Sequence, residues 1–245
     1  MTLNLTNRAI SPGVTTYAYA AGGSTPYVYT VLPGGAGGSI GSATGLYTPP
    51  SIIDYNSPAG FYETIKVTDA LSSTATVQVL VGTPLLLFCD VLQTGLGLSS
   101  GRVYLWDQKL MQPKDSSLYI AVSVLSCKPF ANTNRLNSSG NSEQSVNMYA
   151  TLQLDVISRG PVARERKEEI ILALNSNYAQ AQQERNSFYI GKLPPGASFR
   201  NLSQEDGAAI PYRFSIDVAI QYVVKKTVVV PYFDSFSDPT VISNP

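Results

Sequence analysis

"LQLDVISRGPVARERKEEIILAL", residues 152–174, decides the fold. Leu152, Leu154 and Val156 alternate with their neighbours, the period of a strand with one buried face. Past Gly160 and Pro161 the period changes. Ala163, Ile170, Ile171, Leu174, Tyr178 and Ala181 fall on one stripe of a helix predicted over 162–184. A strand that feeds a helix is either scaffold or a phosphate-binding junction. The second use needs free backbone N–H groups at the first helical turn. Pro161 removes one, the glycine is single, and no lysine or serine stands where a P-loop has them. The stretch therefore reads as scaffold, an amphipathic helix docked on a sheet.

The flanking sequence extends that sheet. "TPLLLFCDVLQTGLGL" (83–98) has helical spacing, with Thr83 as cap, Pro84 at the first helical position and Gly95 and Gly97 at its end. "GRVYLWDQ" (101–108) is a short strand candidate, and 112–130 holds a strand with Leu118, Ile120, Val122 and Val124 on one face. "ANTNRLNSSGNSEQSVN" (131–147) is polar with no core-forming pattern and reads as a long loop. It would be disordered or ordered only against a partner. "PYRFSIDVAIQYVVKKTVVVPYF" (211–233) is one long strand or a hairpin, with Phe214, Ile216, Val218 and Ile220 on one face. The order α–β–β–β–α–β(β) predicts an α+β domain over 84–236, with a mostly antiparallel sheet and helices packed on it. Residues 237–245 form a C-terminal arm.

Residues 1–83 differ in kind. They hold two basic and three acidic side chains, against fifteen and fourteen in the rest of the chain. "TPYVYTVLP" (25–33), "YETIKVTDA" (62–70) and "STATVQVLVG" (73–82) alternate, and "TDALSS" between the last two predicts a hairpin. Glu63, Ile65, Val67 and Asp69 share one face of the middle strand. This is the pattern of an all-β sandwich behind a short N-terminal arm. The glycines of "PGGAGGSIGSATG" (33–45) lead into no helix and precede no Gly-Lys-Ser/Thr, so they read as turn chemistry.

Composition narrows the chemistry. The chain has 245 residues, 44% of them hydrophobic, and net charge zero. No overall field draws it to nucleic acid or an acidic membrane. With no histidine, the commonest general base and metal ligand are missing, and Ser-His-Asp and Cys-His catalysis are excluded. An enzyme would have to use Asp, Glu, Lys or Tyr, and no clustered carboxylates are evident. Cys89 and Cys127 are too few for a disulfide framework or a thiolate zinc site and read as free thiols, with a pairing possible only outside a reducing cytosol. The N-terminus has no apolar core fit for a signal peptide, which makes the cytoplasm the expected site of synthesis. The sequons at Asn4, Asn137 and Asn201 then read as chance. Trp106 is expected in the core.

Two resemblances attach to these residues. "GGSTPYVYTVLPGGAGGSIGSATGLYTPPS" with "YETIKVTDALSSTATVQVLV" resembles the Ig-like modules of bacteria and phages. "LQTGLGLSSGRVYLWDQKLMQPKDSSLYIAVSVLSCKPF" with the run from Tyr149 to Thr227 is similar to phage tail terminators, also called tail completion or neck proteins. The second resemblance implies a structural virion protein, not an enzyme, without cofactor or metal. Its protomers would form a six-fold ring that caps the tail tube and joins it to the head. The implied partners are copies of itself, tube and sheath proteins, and the head–tail connector. The alternative is a surface- or carbohydrate-binding decoration module anchored to the virion.

The candidate contact residues are the helix charges Arg164, Arg166, Lys167 and Glu168, the strand-end Lys225 and Lys226, and the aromatic Tyr232, Phe233 and Phe236 of the C-terminal segment. Opposite charges on neighbouring subunits set register more than affinity. The plain alternative for the helix charges is a solvated face.

Overall fold

The computed structural model describes residues 1–50, 61–106, 115–136, 141–194, 196–203 and 212–228. The protein is mostly β, with several sheets and few helices.

Strands β1 (Thr2–Leu5), β3 (Thr16–Ala21), β6 (Leu46–Thr48) and β5 (Ser39–Ile40) make one four-stranded sheet in that order. A second has the order β2 (Ala9–Ile10), β8 (Thr74–Val81), β7 (Tyr62–Thr68), β4 (Val28–Val31). Their inner faces share one core, where Leu3, Leu5, Ala18 and Tyr47 meet Tyr29, Ile65, Val67, Val79 and Val81. The predicted β7–β8 hairpin is present. Its turn is built by Asp69, whose carboxylate accepts from the amides of Leu71 and Ser73 and, across the turn, of Ser24. These bonds hold that carboxyl below its usual range. Glu63 is fully buried and accepts from the Tyr47 hydroxyl at 3.2 Å and the Gly38 amide at 2.7 Å. The glycine run folds over this carboxylate, which is turn chemistry with a structural use.

The remaining strands form a six-stranded sheet. Its order is β12 (Phe188–Ile190), β14 (Tyr212–Val228), β11 (Ser142–Ser158), β10 (Tyr119–Leu136), β9 (Val103–Leu105), with β13 (Arg200–Asn201) also paired to β14. Every pairing is antiparallel except β9 with β10. Leu152, Leu154 and Val156 project to one face with Ile120, Val122, Ile216, Val218 and Ile220. That face is covered by helices α1 (Pro84–Gly95), α2 (Val162–Arg166), α3 (Glu169–Leu174) and α4 (Asn177–Asn186). On the opposite face Tyr104 stacks on Tyr119 at 6.2 Å between centroids, beside Ala121 and Ile157.

Four sequence expectations need correction. The single helix over 162–184 is three pieces, and the second break falls where Ser176 caps a new start, its hydroxyl accepting from the Ala179 amide. Ile171 and Ala181 are accordingly only half-buried, while Ala173 and Ala179 take buried places. Thr83 precedes α1 with extended backbone, but its side chain makes no capping bond. Trp106 is 46% exposed rather than in the core. The loop expected over 131–147 is strand up to Leu136 and again from Ser142. Residues 211 and 229–233 of the last predicted strand lie outside the described residues.

The first sheets join the second part through buried side-chain amides. Gln182 donates to Asn7 at 3.0 Å, and Asn186 donates to Gln182 at 2.8 Å. Asn186 also accepts from the Ser11 amide at 2.8 Å. Ala9 and Leu80 contribute to the core under the helices.

A candidate assembly surface

The sequence left one question at Gly160–Pro161, and side-chain geometry answers it. The Ser158 hydroxyl accepts from the Ala163 amide at 2.9 Å and donates to the Gly160 carbonyl. One of the first-turn N–H groups a phosphate would need is taken by the chain itself. Nearby, Arg102 clasps Asp115 through its two terminal guanidinium nitrogens, and this drives the Asp115 carboxyl down to about 2. An open cleft of about 430 Å³ beside this pair also touches Arg166, Ser116 and Ser117. Both arginines already have carboxylate partners. Among the described residues no group of three or more His, Cys, Asp or Glu could hold a metal ion. Neither cysteine is in a disulfide; Cys89 is buried and Cys127 exposed. No helix among the described residues is long and apolar enough to cross a membrane.

The predicted contact residues fall into separate places. Arg164 lies over the Tyr212 ring at 5.7 Å and Lys167 over the Phe214 ring at 5.3 Å. Such contacts shield the root of β14 and leave the charge partly in water. Lys167 also pairs with Glu168. Arg166 is engaged within its own chain, donating to Glu169 at 2.7 Å and to the Leu96 carbonyl at the end of α1 at 2.9 Å. Arg166→Ala is expected to cost about 1 kcal/mol, mostly from the orphaned carbonyl. Arg164→Ala should stay within about 0.5 kcal/mol. Urea denaturation of the two variants measures the difference. Lys225 and Lys226 lie eleven and twelve residues beyond Phe214 on β14, roughly 35 Å along the strand. The helix charges and the strand-end lysines are two patches, not one. Tyr232, Phe233 and Phe236 lie outside the described residues.

The feature that brings several of these residues into one structure was not legible as such. Beyond the helices, β10, β11 and β14 continue side by side. Leu136 pairs with Ser142, and Ser142 pairs with Val228. The result is a three-stranded arm, about ten residues or roughly 30 Å long, with no helix on either face among the described residues. By register, Cys127, Leu136, Val146, Met148, Tyr222 and Val224 share the face that lower down meets the helices, interleaved with Asn132, Asn134, Ser142, Gln144 and Lys226. Val224 is 51% exposed and Leu136 63%. Cys127 and Tyr222 are hydrogen-bonded at 3.3 Å; burial first, then that bond, pushes the Tyr222 hydroxyl up to about 12. The other face carries charged and polar side chains together with Tyr149 and Val223. Glu143 sits between Arg135 at 3.4 Å and Lys225 at 3.8 Å, and Thr133 bonds Ser145 at 2.6 Å. Strand length held the available signal: the predicted 211–233 run far exceeds the usual five or six residues.

Neither a family model nor a curated protein matches the chain. Among solved structures, the crystal structure of human protocadherin-24 EC1-2 is similar at 12% identity over 59% of this chain and 82% of that one, with a TM-score of 0.24. A likeness of that size carries no argument about fold or function.

Proposed function

We propose that the protein is a structural assembly subunit of a tailed phage, of the tail-terminator or neck type, with an Ig-like N-terminal sandwich. Copies of it form a ring that caps the tail tube and meets the head connector. The observation that carries this reading is the arm. Among the described residues, a ribbon that leaves Leu136 and Val224 exposed and has no strand paired along its outer edges beyond β9 and β12 is a liability for a free monomer, and an interface with another chain removes it. The absence of histidine and the occupied phosphate junction weigh in the same direction. Head-to-tail contacts between unlike surfaces close into rings when the rotation allows.

Negative-stain electron microscopy of the full chain, alone and with tail tubes, should give six-fold class averages with small lobes for the N-terminal sheets. Val224→Asp on the arm should keep the thermal transition and lose the rings. A wild-type chain that stays monomeric at high concentration and with tubes present sinks the proposal. A second reading, a carbohydrate-binding decoration module, is favoured by Tyr17 and Tyr19. They are 52% and 49% exposed on the outer face of β3. Specific binding on a glycan array, lost in Tyr19→Ala, would move the weight there.

A further inference from the structure

The large sheet leaves aromatic side chains in water on the face turned away from the helices. Ile220 and Tyr222 of β14 pack with the helix-side core, so the alternating Gln221 and Val223 lie on the other face. Phe188 and Ile190 of β12 enter the same core, which sets Tyr189 on the outer face too. Register then puts Tyr189 and Tyr149 on either side of Gln221, in one cross-strand row. Two strand spacings separate them, roughly 10 Å. A groove of about 230 Å³ opens at this row, and Phe130, Asn147, Tyr189, Gln221 and Val223 are among the residues that line it. Tyr189, Tyr149 and Phe130 are all exposed.

The side chains present narrow the ligand. None of the described residues that line the groove is charged. The row ends on β10 at Lys128, a single cation. A nucleic-acid strand needs a series of cations along its phosphates, and a charged peptide needs opposite charges to meet. A purely apolar ligand would cover the half-buried Asn147 and Gln221 amides and leave them without partners. A sugar ring satisfies both demands. It has an apolar C–H face for an aromatic ring, and hydroxyls around its edge that both donate and accept, as a carboxamide does. The volume is below the range of about 300–1,000 Å³ that drug-sized ligands occupy, and suits one ring of a chain that continues across the strands.

We infer that this outer face binds an uncharged, extended glycan chain. Tyr189 and Tyr149 stack on its sugar rings, and Gln221 and Asn147 bond its hydroxyls. A straight row of two aromatics favours a ribbon-like chain, which can touch both, over a coiled one. The site lies on the face opposite Val224, so it goes beyond the ring reading and does not depend on it. It is also separate from Tyr17 and Tyr19 on β3.

The test is calorimetric titration of the full chain with cellohexaose, mannohexaose and chitohexaose, three uncharged ribbon-like chains. At least one should bind saturably. Tyr189→Ala should weaken that binding about tenfold, the loss expected for removing an aromatic anchor. Gln221→Leu should weaken it as well, Tyr189→Phe should keep most of it, and all three variants should melt as the wild type does. The inference is overturned by saturable binding of none of the three sugars, by equal binding of the coiled maltohexaose, or by tighter binding of a single-stranded oligothymidylate. Binding lost in Tyr19→Ala but kept in Tyr189→Ala overturns it too. The assembly reading stands or falls separately, on the micrographs of Val224→Asp.

Discussion

Leu154→Asp should abolish the cooperative unfolding transition of this chain. Leu154 is fully buried in β11, between Val122 on one side and Ile216 on the other, beneath the helices. An aspartate there has no cation within the apolar face and no route to water. Leaving a carboxyl unpaired in such a site, together with the lost leucine packing, costs upwards of about 5 kcal/mol. That is comparable with the whole margin of about 5–15 kcal/mol that keeps a domain folded. The expected result is an insoluble product, or a soluble one without a calorimetric transition. Leu172→Asp is the control. Leu172 lies in the same helical region but is 72% exposed, and its substitution should change stability by no more than about 0.5 kcal/mol. A Leu154→Asp chain that melts within a few degrees of the wild type would refute this account of the core.

Gly45→Val should unfold the N-terminal sheets and spare the large one. Gly45 has φ +68°, and a Cβ built there would lie 2.2 Å from the Ala18 carbonyl oxygen. Its own carbonyl accepts from the Ala18 amide at 2.8 Å, and its amide donates to Gly41 at 2.9 Å. The turn cannot move aside without breaking the bond that ties it to β3. Left-handed backbone is costly for a β-branched residue, and the backbone clash adds to it, for a total of about 3–5 kcal/mol. Hydrogen exchange is the measurement. Amides of β3 and β6 should lose protection while those of residues 150–158 keep theirs. Equal loss across both regions would mean that the two cores unfold as one unit.

What could be read from the sequence was whatever has a buried side and an exposed side. The β7–β8 hairpin, α1 and the inward faces of β11 and β14 all show that contrast in their residues. The Gly-Pro junction was legible for the same reason, since a phosphate loop has a required pattern and this one lacks it. The arm was not legible. Its strands are held by backbone ladders that leave no mark on side-chain choice, so Asn132 to Leu136 look like loop. The break in the long helix was carried by Ser176 and Asn177, a capping pair set inside an apolar stripe that continued across it. Among the candidate contact residues, charge was visible but partners were not. Arg166 and Lys167 are neighbours in sequence; the first spans to the end of α1 and the second covers a phenylalanine ring.

Modules that pass from one protein to another are usually joined by little more than a linker. The joint here is of another kind. Gln182 donates to Asn7 across 175 positions of the chain, Asn186 donates to Gln182 within α4, and all three are buried. Moved to a new host, the first eighty residues would part Asn7 from the Gln182 amide and the Ser11 amide from the Asn186 side-chain oxygen, while the Gln182–Asn186 bond stayed within the helix left behind. A partner removed while the joint stays closed leaves its mate buried and orphaned, at about 1–3 kcal/mol. Substitutions at position 7 should therefore be tolerated best alongside changes at 182 or 186.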